Sequence, residues 1–105
     1  MLNFIEKDSI SIDFQGSFEK DSIYLYVDNQ LIFKGGINTN PITGFACSVK
    51  IKKPKDKNYS IKIKTLQCTS KEQIIDSNWK FVGISYPSSN CYFEYLFSET
   101  PFEYY

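Results

Sequence analysis

The side chains able to do chemistry are few in kind. All twelve cations among the 105 residues are lysines; there is no histidine and no arginine. Without histidine there is no Ser-His or Cys-His nucleophile pair, no usual general base and no imidazole for zinc. Without arginine, no guanidinium fork can grip a carboxylate, a phosphate or a guanine edge in two places. These absences predict that the protein is not an enzyme: catalytic residues none, cofactors none, metal none. Cys47, Cys68 and Cys91 are widely spaced and contain no C-x-x-C, which argues against a zinc or redox centre. They are expected to be small buried hydrophobes in a reducing compartment, with one disulfide plus one free thiol as the alternative.

What remains is charge and aromatic surface. Lys50 and Lys52 alternate with apolar residues in one segment, Lys62 and Lys64 in the next, and Lys53, Lys55 and Lys57 occupy the turn between them. If Ile51 pairs with Ile61, Lys50 sits across from Lys62, an unfavourable pairing of like charges. One reading of this ladder is a solvated face that deters edge-to-edge pairing. The other is a docking face for an acidic partner. Nucleic acid is the weaker partner, because arginine is missing and the outward face of these two strands lacks aromatics to stack bases. Tyr24 and Tyr26, with Phe102, Tyr104 and Tyr105, add the amphipathic rings that interfaces favour. The candidate partner-binding residues are therefore Lys50, Lys52, Lys62, Lys64, Tyr24, Tyr26, Phe102, Tyr104 and Tyr105. Beyond residue 70, Glu72, Asp76, Glu94, Glu99 and Glu103 face only Lys71 and Lys80. A basic middle followed by an acidic last third suits self-association between unlike patches.

The elements that must position these residues are strands. In Ser22–Lys34, Ile23, Leu25 and Val27 alternate with Tyr24, Tyr26 and Asp28, the period of a half-buried strand. A turn at Asp28-Asn29 returns the chain through Leu31-Ile-Phe33. A three-residue loop, 28–30, sets Val27 against Leu31 and Leu25 against Phe33, burying all four. A two-residue loop suits the turn chemistry but sets Val27 against Gln30. Burial favours the first, with Ile23, Leu25, Val27, Leu31 and Phe33 as the core face. Ser9–Phe14 alternates with Ile10, Ile12 and Phe14 inward. Residues 16–21 form a polar connection. Residues 35–44 form a Gly/Asn/Pro loop in which Ile37 and Ile42 fold back onto the sandwich end. Phe45–Lys52, Tyr59–Thr65, Trp79–Tyr86 and Cys91–Phe97 complete the strands. Ser70 followed by Gln73 fits a capping box and predicts the one short helix, near 71–76. Residues 98–105 form an aromatic tail.

Seven or so short strands with regular turn signals predict an all-β, single-domain antiparallel β-sandwich over residues 1–105, with a small barrel as the rival. Net charge is zero, so no global field draws the protein to nucleic acid or membrane. Residues 1–8 lack the basic and apolar regions of a signal peptide, and no run reaches the roughly 18 apolar residues of a membrane span. Cytoplasmic synthesis without membrane contact follows as the expectation.

The alternating strand, its polar turn, Leu31-Ile-Phe-Lys-Gly35, the Asn40-Pro41 loop and the strand Phe45–Lys52 together resemble small immunoglobulin-like accessory modules. Such modules decorate bacteriophage capsids. The resemblance spans about residues 9 to 97 and carries over no functional residue. It implies a virion-associated, non-catalytic protein that binds a larger assembly; fold alone does not determine function. The expected function is thus protein–protein interaction with a partner or assembly bearing an acidic patch. A carbohydrate-binding β-sandwich using exposed tyrosines is one alternative, and a small inhibitor or immunity-type protein is another.

Overall fold

A computed structural model describes residues 9–52, 58–66, 68–76, 78–86 and 93–104. Among these residues there are eight strands and no helix: β1 (Ser9–Phe14), β2 (Asp21–Val27), β3 (Gln30–Ile37), β4 (Cys47–Lys52), β5 (Tyr59–Lys64), β6 (Gln73–Ile75), β7 (Phe81–Ser85) and β8 (Glu94–Ser98). They form two four-stranded sheets, ordered β4-β1-β7-β8 and β3-β2-β5-β6. Pairing is antiparallel except between β1 and β7, which run parallel. The all-β sandwich predicted from alternation is therefore present.

The core is where the inward residues of the two sheets meet. Ile10, Ile12 and Phe14 of β1 face Ile23 and Leu25 of β2 and Ile61 and Ile63 of β5, all fully buried. Period-two alternation places these residues on one side of each strand. Phe18, in the connection read as polar, is also buried and meets Phe14 edge to face, with ring centroids 5.6 Å apart. Ser17 and Lys20 flank it at positive φ. The two turns fold a single aromatic inward between polar neighbours, which leaves no periodic signal.

The hairpin register combines the two loop options. Asp28 (φ 49°) and Asn29 (φ 67°) are both left-handed, as a two-residue type I′ turn requires. Val27 accordingly pairs with Gln30 and Tyr26 with Leu31. A β-bulge then absorbs Ile32, and Leu25 still pairs with Phe33. Turn chemistry wins at the tip and burial wins one turn of pleat later. Leu31 is consequently 47% exposed, which corrects its assignment to the core.

Three other expectations change. The segment near 71–76 is not a helix but strand β6, with Ile75 fully buried against Tyr59 of β5. Ser70 does not cap it; its hydroxyl accepts the Ile63 N–H at 2.8 Å and donates to the Lys71 carbonyl. β3 runs on through Gly35 and Gly36 to Ile37. Ile37 is buried as expected, whereas Ile42 is 84% exposed, beyond an Asn40 side chain that accepts the Ile42 and Thr43 amides. Cys68 is disulfide-bonded, to a partner outside the described residues, while Cys47 is free. The expectation of three reduced thiols fails, because linear spacing carries no distance information once strands cross between sheets.

Two measurements check this layout. Leu25→Ala should cost about 2–5 kcal/mol, as large-to-small core changes do, and Leu31→Ala should cost clearly less in denaturant unfolding; equal losses would refute the bulged register. Denatured, unreduced protein should return one titratable thiol per chain, since a disulfide consumes two of the three cysteines. Three thiols would refute the disulfide.

Candidate functional site

The pairing of strands determines which predicted residues meet. β4 lies at the edge of the first sheet, pairing with β1, so that Ile51 faces Ile10 rather than Ile61. β5 lies inside the second sheet, between β2 and β6. The lysine ladder therefore splits. Lys50 and Lys52 stand exposed on an edge strand, where charge deters pairing with another sheet. Lys62 and Lys64 instead pair with Tyr26 and Tyr24 of β2.

This second arrangement builds a surface that the sequence pattern alone did not reveal. Across the outer face of the second sheet, Tyr24 lies between Lys34 of β3 and Lys64 of β5. One step along the strands, Tyr26 lies between Leu31 and Lys62. Lysine and tyrosine thus alternate across the strands, and no two lysines are direct partners. The Lys34 ammonium sits over the Tyr24 ring, 5.6 Å from its centroid, and the Lys62 ammonium over Tyr26 at 5.5 Å. Such contacts at exposed sites contribute about 0.5–1 kcal/mol each. They seat each ammonium group over one face of a ring. Lys34 escapes the sequence reading because the returning strand is ended there at Phe33, one residue before it; the signal is the alternation of Lys34 with Phe33 and Gly35.

Around this face the chemistry is sparse. At one end of β2 and β5, Lys20, Asp21, Ser22, Thr65, Leu66 and Tyr86 line a cleft of about 130 Å³. That is well below the roughly 300–1,000 Å³ of small-molecule sites. Among the described residues no three of His, Cys, Asp and Glu gather as metal ligands do, and no helix is long and apolar enough to cross a membrane. The Cys47 thiol is pushed above its ordinary range, by burial first and then by the charge of Asp13, which leaves it protonated and a poor nucleophile.

The aromatic tail is not presented outward as a unit. Tyr104 folds back onto the outer face of the first sheet, where its ring meets Phe45 at 4.7 Å. Its hydroxyl donates to Asp13 Oδ2 at 2.7 Å and accepts from Gln15 Nε2 at 2.9 Å. Ser11 and Ser48 hydroxyls donate to Asp13 Oδ1. Asp13 is thus a buried carboxylate satisfied by three hydroxyls. Gly83 of β7 makes room for this arrangement, since a Cβ there would lie 2.6 Å from the Gln15 side-chain oxygen Oε1. Tyr104 is thus engaged with the first sheet of its own chain. Phe102 is half-buried, and Tyr105, like Lys53, Lys55 and Lys57, lies outside the described residues.

The chain matches no protein-family model, no curated protein and no solved structure. The geometry of the lysine–tyrosine face therefore has to carry the functional argument by itself.

Burial, and after it the hydrogen bond to Asp13, raises the Tyr104 phenol above its ordinary value; Tyr59 and Tyr95 are raised by burial as well. A group whose folded pKa is raised contributes stability that is complete below the unfolded value, about 10 for Tyr, and lost as pH climbs toward the folded one. Thermal stability should therefore hold up to that pH and fall above it, with a shallower fall in Tyr104→Phe. An identical alkaline fall in that variant would exclude Tyr104 as a contributor.

Proposed function

We propose that the protein is a non-catalytic interaction module that docks an acidic protein surface through its lysine–tyrosine face. The observation that carries this reading is the outer face of the second sheet, on which three lysines and two tyrosines share adjacent rows. Unlike-charge complementarity on such a face contributes encounter rate and specificity more than raw affinity. Tyrosine supplies broad contact area with little conformational freedom to lose. The ammonium groups over both rings favour a charged partner over a neutral sugar, which would need the ring faces bare.

A small module with a charged docking face and a covered opposite face suits an accessory role on a larger assembly, such as a decoration protein of immunoglobulin-like type on a phage virion. The disulfide at Cys68 supports that setting, because disulfides persist on virion and cell surfaces and are rare in the reducing cytosol. It removes the support that reduced cysteines lent to a cytoplasmic residence.

The test uses polyglutamate as the probe and compares two double variants of equal charge change. Lys62→Gln with Lys64→Gln should weaken binding at least tenfold and flatten its salt dependence, while thermal unfolding falls by no more than the few degrees that loss of the Lys62–Tyr26 contact accounts for. Lys50→Gln with Lys52→Gln, on the edge of the other sheet, should leave binding near the parent value. Equal losses in both variants, or none in either, would refute the assignment of this face.

A further inference from the structure

We propose that the Asp13–Gln15–Phe45 cradle on the outer face of the first sheet is an exchangeable receptor for the segment after β8. Within one chain that segment fills its own cradle; between associated chains it fills the cradle of a second copy. The inference is independent of the lysine–tyrosine face.

Three observations carry it. First, the receptor is built for a phenol. The Tyr104 hydroxyl both donates, to Asp13 Oδ2, and accepts, from Gln15 Nε2, while its ring rests on Phe45. Second, none of these groups comes from β8, the strand that delivers the tyrosine. They come from β1, from the residue that follows it and from the approach to β4, with space kept by Gly83 of β7. A tyrosine arriving from another chain would meet the same groups. Third, the connection is a strap. Glu99, Thr100, Pro101 and Glu103 are exposed, and Phe102 is half-buried. Thr100 is tied to Ser98 of β8 through the Ser98 hydroxyl; the three residues after it span up to roughly 10 Å when extended, so the anchor can leave its cradle with that turn kept.

The occupant is a second copy for a chemical reason. Asp13 is buried, and loss of the tyrosine removes one of its three hydroxyl donors. An acceptor left short of donors in a buried place is destabilising, and the segment that matches the gap in shape and hydrogen bonding is present on every other chain. Each chain gives one strap and offers one cradle, so the contact is heterologous and can propagate. A short tether raises the effective concentration of its own tyrosine to the millimolar range, which keeps the unaltered protein closed on itself in dilute solution.

The test removes the internal competitor by splitting the contact between two full-length variants. Tyr104→Ala keeps the cradle and loses the anchor. Asp13→Leu keeps the anchor and loses the acceptor. Each alone should sediment as the 12.2 kDa chain. Mixed at about 1 mM each, near the effective concentration of a short tether, they should form a species of twice that mass. Gly83→Ala, which displaces the Gln15 amide, serves as the cradle-blocked partner if Asp13→Leu does not fold. A mixture of folded variants that stays monomeric overturns the proposal. So does association of Tyr104→Ala alone, because that would place the contact elsewhere.

Discussion

The structure depends on β1 being enclosed. It is hydrogen-bonded along both edges and covered on both faces. β4 pairs with it antiparallel and β7 parallel. Ile10, Ile12 and Phe14 fill the space between the sheets. On its other side Asp13 is held by Ser11, Ser48 and Tyr104. A carboxylate in that position is tolerable only because hydroxyls surround it; left bare, its burial would be among the costliest features of a domain this size. With β4 committed to β1, it is unavailable to β5, and β5 takes β2 as its partner instead. The position of every lysine considered for binding follows from that choice.

The two sheets therefore present different outer faces. On the first, the segment after β8 returns across the surface, and its Tyr104 hydroxyl is bonded to Asp13 and Gln15. On the second, no described element lies over Tyr24, Tyr26 and their lysines. Cation–π contacts order the exposed side chains there without closing the face to a partner. The same five residues also give the sheet a hydrophilic exterior, which any exposed antiparallel sheet needs. That dual role is why a charge-removal comparison between sheets is more informative than a single substitution.

How much of this could be read from the sequence depends on whether the deciding interaction was local. Alternation is local, so Ile10, Ile12, Phe14, Ile23, Leu25, Ile61 and Ile63 were legible as core and the all-β class followed. The Asp28-Asn29 turn was legible as well, though not the bulge that reconciles it with burial of Phe33. Strand partnership is not local. Nothing in the period of β4 or β5 says that they belong to different sheets, so the supposed like-charge ladder became an edge pair and a lysine–tyrosine lattice. Ser70 and Gln73 had helix-start chemistry, and the pairing of β6 with β5 overrode a propensity that three residues could not sustain. Phe18 and the Cys68 disulfide were hidden for the same reason: each depends on what folding brings near.

The bulge at Ile32 has a consequence for how this chain can vary in length. A strand with one buried face obeys a parity rule, because each residue gained or lost reverses the sides of all that follow. The two-residue tip would, alone, turn Phe33 and Ile37 outward; the one extra residue restores the parity. The hairpin can thus absorb paired insertions at its tip, whereas drawing Ile32 into the ladder would set it opposite Leu25 and carry Lys34 from the outer face into the core. An irregularity at a position that is itself 40% exposed thus keeps the phase of the buried residues beyond it.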